Sequence, residues 1–148
     1  MQNINLLMDW SLIAQKIVLS FMTATFAIGA FFSFFVAPTL FKTLPKSEAG
    51  KVVEKIFPIY FALCLGLDAL SLLAVFKANV GFILILILIL TITLNAVQLY
   101  VILPESREKK RSGDREGFKR VHTISVFMNL TVVVLNLLGI LYLIFKPF

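Results

Sequence analysis

The alternation of long apolar stretches and short charged ones predicts helices that cross a lipid bilayer. Ile17–Phe41, Ala78–Pro104 and Val121–Phe145 contain no Asp, Glu, Lys or Arg, and Ile56–Phe76 is interrupted only by Asp68. Each stretch reaches the length of about 20 residues that a membrane-spanning helix needs. The pattern therefore predicts an all-α integral membrane four-helix bundle, a single transmembrane domain over residues 1–148, with spans at approximately 12–38, 56–76, 80–103 and 119–145.

A closed β-barrel also satisfies every backbone group in lipid, but its strands alternate apolar and polar residues. The run Ile83–Leu90 consists of isoleucine and leucine alone, which is typical of a helix with lipid on all sides. We therefore expect this half of the third helix to face lipid. The first apolar stretch has no basic segment before it, so we expect it to remain as a helix and not to be removed as a signal peptide.

The segments between the spans carry their own predictions. Pro38 is expected to end the first helix, and Ser47–Phe57 has the apolar spacing of a short amphipathic helix at the membrane interface, followed by a kink at Pro58. The second connection is short enough to require a tight helical hairpin. The third, Pro104–Gly117, is polar and is expected to be a mobile loop in which Asp114 caps the fourth helix.

Composition supports the membrane assignment. Of the 148 residues, 59% are hydrophobic and 15% are charged, and the mean hydropathy is +0.96. A soluble domain of this length could not bury so much apolar surface. In lipid, helices associate through small residues, so we expect the face with Thr25, Gly29 and Ser33 to pack against Ala62 and Gly66.

The net charge of +6 has its explanation in membrane topology and not in nucleic-acid binding. Positive residues are retained on the cytoplasmic side, which places the first and third loops in the cytoplasm and both termini outside, in a bacterial or archaeal cytoplasmic membrane. The same loops would attract anionic lipid headgroups. The eleven basic residues of these loops are Lys42, Lys46, Lys51, Lys55, Arg107, Lys109, Lys110, Arg111, Arg115, Lys119 and Arg120, against Lys16, Lys77 and Lys146 on the opposite side.

A few polar side chains lie within the predicted spans at similar depth. Asp68 lies near the bilayer midplane, where a charge is unfavourable by about 2.5 to 3.5 kcal/mol, so it should be protonated, paired or turned to the interior. Helical spacing places these residues in one seam that opens toward the cytoplasm. The seam consists of Asp68, Asn95, Gln98, His122, Ser125 and Asn129.

Two interpretations of the seam are open. Interhelical hydrogen bonds explain Asn95, Gln98 and Asn136 most simply. An intramembrane acid is a poor choice for that purpose, so Asp68 is interpreted as a proton or cation site. His122, close to the interface, is either an anchor or a titratable group.

Other chemistries lack the residues they need. One histidine cannot supply both axial ligands of a bis-His haem, and the single cysteine, Cys64, excludes an intrachain disulfide and a multi-cysteine zinc site. There is no glycine-rich phosphate loop, no Ser/His/Asp set and no pair of carboxylates. We therefore predict a protein that is not an enzyme and has no cofactor, metal ligand set or catalytic residue.

Three blocks of residues resemble the transmembrane protein 205-like family. The first block contains Leu40, Phe41, Leu44, Pro45, Gly50, Phe57, Pro58, Tyr60 and Phe61. The second contains Asn95, Ala96, Leu103, Pro104 and Glu105, and the third contains Phe118, His122, Ser125 and Asn129. Within these blocks, Phe41, Pro45, Gly50, Pro58, Tyr60 and Pro104 are expected to be structural.

The resemblance implies a four-helix membrane protein of poorly known activity, with members associated with heavy-metal or drug resistance and distant kinship to copper-resistance membrane domains. Family members often have a histidine early in the first helix, where this chain has Gln15 and Lys16. Metal or haem binding through two histidines is therefore not expected.

These observations lead to a leading function hypothesis and to alternatives from two other classes. The leading hypothesis is transport or efflux support for an ion, heavy metal or small solute through the seam. Because four helices leave little room for a pathway within one chain, we expect a homo-oligomer. The alternative is a non-catalytic structural or assembly subunit of a larger membrane complex. A haem or quinone redox protein is a third class, which predicts a coloured preparation.

Overall fold

The computed structural model describes the backbone of residues 2–145 and the side chains from Trp10 to Phe145. Lys146, counted above among the basic residues, lies outside this range. Two π-helical turns, Phe32–Val36 and Gln98–Ile102, join neighbouring α-helices without a break. The α-helices are α1 (Gln2–Phe31), α2 (Ala37–Thr43), α3 (Lys46–Val75), α4 (Phe82–Val97), α5 (Leu103–Ser112) and α6 (Arg115–Phe145).

Four helical segments are long and apolar enough to cross a membrane, which confirms the predicted number. They are Trp10–Thr43, Lys46–Val75, Phe82–Ser112 and Arg115–Phe145. A helix of 30 residues is about 45 Å long, whereas the hydrocarbon core of a bilayer is about 30 Å thick. Of the 18 most apolar consecutive residues of each segment, at most 28% are buried within the chain. The remaining apolar surface therefore needs lipid or protein to cover it.

The first helical segment does not end at Pro38, contrary to the sequence prediction. It continues through the π turn at Phe32–Val36 into α2, and the backbone N–H of Ala37 bonds to the carbonyl oxygen of Phe32. Pro38 then lies in the first turn of α2, where a missing N–H is tolerated. The segment ends at Thr43, and Leu44 and Pro45 form the break.

No separate amphipathic helix follows that break. Residues Ser47–Phe57 form the first turns of α3, which continues through Pro58 to Val75. A proline inside a helix removes one backbone hydrogen bond, but Val53 before it and Phe61 after it are both buried, and packing keeps the helix in one piece.

The polar segment Pro104–Gly117 is also more ordered than its composition suggests. Residues up to Ser112 belong to α5, and the connection to α6 is reduced to Gly113 and Asp114. Gly113 ends α5 with a left-handed backbone (φ 75°), which glycine adopts without strain. The predicted cap is confirmed, since Asp114 Oδ1 accepts a hydrogen bond from the backbone N–H of Gly117 at 2.8 Å.

The interior of the bundle has three layers. An apolar layer lies toward the Phe76–Gly81 turn and includes Val18, Met22, Leu84 and Leu88. A middle layer is polar, and an aromatic layer follows toward the opposite end. The middle layer contains Thr25, Asp68, Ser71, Thr91, Asn95 and Asn136, and the aromatic layer contains Phe32, Tyr60, Phe61 and Cys64. We call the end with the Leu44–Pro45 and Gly113–Asp114 connections the basic end, because most lysines and arginines lie there.

Two packing predictions need correction. Leu84 and Leu88 are fully buried, so the run Ile83–Leu90 turns one stripe to the interior and only the rest outward. Gly29 is close to α3 and α6, since a Cβ atom there would lie 2.9 Å from Val133 Cγ2 and 3.1 Å from Tyr60 Oη. However, Ala62 and Gly66 are exposed, because the polar face of α3 is the one that packs inward.

The element order repeats within the chain. Each half has a long α-helix, a five-residue π turn, a helix with proline in its first turn, a short connection, and a helix of 30 or 31 residues. The same spacing in sequence separates Thr25 from Thr91, Phe32 from Gln98 and Pro38 from Pro104. The α1–α3 half and the α4–α6 half are therefore structural repeats of the same direction.

Candidate functional site

Asp68 is fully buried on the inner face of α3 and is bonded only to neutral groups in the part of the chain that the structure describes. The Thr25 hydroxyl donates to its Oδ1 at 3.0 Å, and the Asn95 amide donates to its Oδ2 at 3.0 Å. The Thr91 hydroxyl, which donates to the Leu88 carbonyl oxygen, lies beside the same carboxyl group. Thr25 and Thr91 are equivalent positions of the two repeats. Asp68 therefore lies where the two halves of the chain are in contact.

Asn95 can bond to Asp68 in either protonation state. Its Oδ1 is buried and has no hydrogen-bond partner among the described residues. When Asp68 is ionised, the amide nitrogen donates to it, as observed. When Asp68 carries a proton, rotation of the amide would place Oδ1 where it accepts the new O–H donor. The sequence predicts a shared depth for Asn95 and Asp68, and in the structure the two side chains are in contact.

A second polar cluster joins three helical segments nearer the basic end. The Tyr60 hydroxyl donates to Asn129 Oδ1 at 2.6 Å, and the Asn129 amide donates to the Ser33 hydroxyl at 2.7 Å. Ser33 lies in the first π turn, Tyr60 in α3 and Asn129 in α6. Sequence analysis assigned Asn129 to the seam and Tyr60 to a structural role but found neither bond.

A third cluster joins the second π turn to α6. Gln98 Nε2 donates to the Ser125 carbonyl oxygen at 2.9 Å, and the Ser125 hydroxyl donates to Gln98 Oε1 at 2.8 Å. Both polar atoms of the buried Gln98 side chain are thereby bonded. These reciprocal bonds fix α6 against the π turn.

His122 does not belong to these clusters. It is exposed near the basic end, and its ring stacks on that of Phe118 with centroids 6.0 Å apart. The predicted seam is therefore three bonded clusters plus a separate histidine. Sequence analysis missed Thr25 and Thr91 as neighbours of Asp68, although their shared depth with Asp68 was a signal that could have found them.

The residues expected to be structural surround the basic end. Phe41 and Gly50 line a cavity, Pro45 precedes the first turn of α3, and Pro104 lies in the first turn of α5. Tyr60 is buried and stacks on Phe32 with ring centroids 5.1 Å apart. Pro58 lies inside α3.

Packing differs between the two ends of the bundle. Toward the Phe76–Gly81 turn, the apolar layer is closely packed, and a Cβ atom on Gly139 would collide with Met22 Cε. Toward the basic end, a cavity of about 370 Å³ reaches Ser33 and Asn129, within the second polar cluster. Among the side chains from Trp10 to Phe145, no group of three or more His, Cys, Asp or Glu residues is placed to hold a metal ion.

A family described as a domain of unknown function (DUF4149) matches residues 20–115. The chain belongs to this family. The matched region contains Asp68, Asn95 and Gln98, whereas His122, Ser125 and Asn129 lie beyond it.

A protein of Aquifex aeolicus (strain VF5), described as uncharacterized, is 37% identical over 132 residues, which cover 89% of this chain and 98% of the relative. Its similarity therefore extends over nearly the whole bundle. No solved structure matches the chain.

Proposed function

We propose that this protein supports transport or efflux of an ion, heavy metal or small solute across a bacterial membrane, and that Asp68 takes up a proton or a cation during this process. The observation that carries the proposal is the position of Asp68. It is a fully buried acid within a membrane-spanning helix, bonded to Thr25 and Asn95 and to no basic side chain of the described residues. An acid in this position is costly, and such residues generally mark ion or proton pathways.

The position of Asp68 between two repeats supports the same proposal. Many transporters consist of repeated helical units, with their substrate and coupling-ion sites near the bilayer midplane at the interface of the repeats. Thr25 from one repeat and Thr91 from the other lie on either side of Asp68. The amide of Asn95 supplies a group that can bond the ionised and the protonated carboxyl.

Access is proposed to occur from the basic end. The opposite end is closed by apolar packing, whereas cavities lie near the basic end. The density of lysine and arginine at this end supports a cytoplasmic orientation. Because four helices enclose little space, we propose a homo-oligomer as the working unit. The three sequence blocks support narrower kinship with the transmembrane protein 205-like family.

The test is proton-coupled flux in proteoliposomes, with Zn²⁺ and Cd²⁺ as probes and a pH-sensitive dye inside. Wild type is compared with Asp68→Asn and with Ser71→Ala. Ser71 is the matched control, since it is buried one turn from Asp68 and, among the described residues, its hydroxyl bonds to the Leu67 carbonyl oxygen alone. We expect Asp68→Asn to abolish coupled flux and Ser71→Ala to retain it. Wild-type flux in Asp68→Asn, or no proton-dependent flux of either probe in wild type, contradicts the proposal.

Infrared spectroscopy during a pH titration gives a second readout that needs no transported solute. A carboxyl band that titrates in wild type and disappears in Asp68→Asn is expected.

Extraction in mild detergent tests the alternative function, a structural or assembly subunit of a larger membrane complex. Co-purification of another membrane protein at fixed stoichiometry would favour an assembly subunit, and a homogeneous homo-oligomer supports transport.

A further inference from the structure

Two cavities near the basic end are neighbours and share part of their lining. Each has a volume of about 370 Å³. One lies between α2, α3, α5 and α6 at the end of the bundle, and the other continues along the first π turn and α6 toward the middle. Both are lined by Phe41, Val53, Phe57 and His122. The cavity at the end of the bundle therefore lies directly beside the cavity along its flank.

The cavity at the end of the bundle has a positive rim. Lys46, Arg107 and Lys110 line it together with one acid, Glu54. Lys110 Nζ lies 2.7 Å from Glu54 Oε2, and Arg107 Nε lies 3.8 Å from Glu54 Oε1. Lys46 has no ion-pair partner among the described residues. The rim therefore keeps an excess of positive charge, and Arg107, which also bonds the Glu54 carbonyl oxygen at 3.3 Å, is held in place.

The cavity along the flank has little unmet polarity. Its polar residues already bond to one another or to their neighbours, Ser33 and Asn129 in one cluster and Ser125 to Gln98. A polar solute would have to break these bonds, whereas a hydrocarbon chain would not. The rest of the lining is apolar, namely Phe32, Phe34, Ala37, Pro38, Phe41, Val53, Phe57, Phe61, Val126 and Leu130, besides His122.

The flank cavity also opens to the side of the bundle. Phe34 is 58% exposed, Val126 52% and Leu130 41%, on an apolar surface where lipid chains would lie. A ligand can therefore enter from the bilayer and need not pass through water.

We propose that the two cavities bind one anionic amphiphile with a single hydrocarbon chain, a long-chain fatty acid drawn from the membrane. The carboxylate lies at the rim formed by Lys46, Arg107 and Lys110, and the chain extends past Phe57 and His122 toward Phe61. The excess positive charge of this rim, which includes Lys46 without an ion-pair partner among the described residues, favours a carboxylate through charge-assisted hydrogen bonds. One chain is proposed because one apolar cavity lies directly beside the cavity with the basic rim. The inference goes beyond the proposed function and does not depend on Asp68.

The experiment counts bound ligand by native mass spectrometry on protein in phosphatidylcholine nanodiscs. The probe is deuterated myristate, compared with myristyl alcohol, which has the chain without the charge, and with acetate, which has the charge without the chain. We expect saturable binding of one myristate per chain and weak binding of the other two. Equal binding of the alcohol, or displacement of myristate by acetate, would overturn the proposal.

Paired charge variants separate a built site from general attraction to anions. Lys46→Gln with Arg107→Gln removes two rim charges, and Lys42→Gln with Arg111→Gln removes two charges outside the cavities. Loss of charge-assisted bonds is expected to weaken myristate binding about tenfold or more in the first pair, with less than a twofold change in the second. Equal loss in both pairs would mean attraction to surface charge only.

A second matched pair of variants tests where the hydrocarbon chain binds. Ala37→Phe fills the flank cavity, whereas Ala27→Phe adds the same volume at an exposed position of α1 outside it. Ala37→Phe should reduce myristate binding, and Ala27→Phe should not. Because neither variant changes Asp68, unchanged myristate binding in Ala37→Phe together with an intact Asp68 titration would refute this inference alone.

Discussion

In the first half of the chain, the inner face of α3 carries Asp68, with Cys64 one turn before it. In the second half, the inner face of α6 carries Asn136, with Val132 at the corresponding position. Both faces are buried. Asp68 accepts hydrogen bonds from two other helices, whereas Asn136 donates only to the Val132 carbonyl oxygen of its own helix, and its Oδ1 has no partner among the described residues. The repeats share a backbone plan, but among the described residues donors from other helices reach Asp68 on α3 and none reaches Asn136 on α6.

The largest expected effect comes from placing an acid in the second half. Asn136→Asp should destabilise the bundle by about 2.5 to 3.5 kcal/mol at mildly alkaline pH, because the charge would have no donors from neighbouring helices. Unfolding in mixed SDS micelles, followed by circular dichroism and by the reactivity of the buried Cys64 thiol, measures this change.

Asp68→Asn is the control for that measurement, since it removes a charge at the position where donors exist. Its amide can still bond to Thr25, so the expected change is below about 1 kcal/mol. Equal stability of the two variants would mean that the surroundings of Asp68 and Asn136 do not differ in the way described.

A smaller effect distinguishes the two equivalent threonines. Thr25→Val removes a hydroxyl that donates to Asp68 from another helix and should cost about 0.6 to 2 kcal/mol. Thr91→Val removes a bond to the Leu88 carbonyl oxygen within α4 and should cost less. Unfolding free energies of the single variants and of each combined with Asp68→Asn give the coupling. Coupling to Asp68 should be larger for Thr25, and equal coupling would make the two positions alike.

The number of spans and the shared depth of Asp68 and Asn95 could be predicted because both follow from spacing and from the absence of charge. The partners of the polar groups could not. Gly29 packs closely, as expected from its size, but Ala62 and Gly66 lie on the outside, because α3 turns Cys64, Asp68 and Ser71 inward. Small residues allow close approach without specifying which face makes it.

The π turns and the length of the helices also escaped sequence analysis. A π turn is a local shift of backbone hydrogen bonds, and neither Phe32–Val36 nor Gln98–Ile102 has a residue that requires it. In the segment from Glu105 to Ser112, polarity was interpreted as a loop, but most of its residues are good helix formers. Polarity there marks departure from the apolar part of the bundle and not the end of the helix.

The smallest effect concerns the connections, where the repeats differ again. Pro45 precedes α3 without a side-chain cap, whereas Asp114 accepts a bond from Gly117 N–H and lies 3.0 Å from Lys109 Nζ. The Gly117 N–H, then Lys109, lower the pKa of Asp114 below its ordinary value of 3.8. Its stabilising contribution is therefore present above that ordinary value and is lost as the pH falls through the lowered pKa.

Asp114→Ala should reduce stability at neutral pH and flatten this acid dependence, whereas Pro45→Ala should leave the acid dependence unchanged. Thermal unfolding across the acidic range measures both, and an unaltered slope in Asp114→Ala would show that the cap contributes nothing.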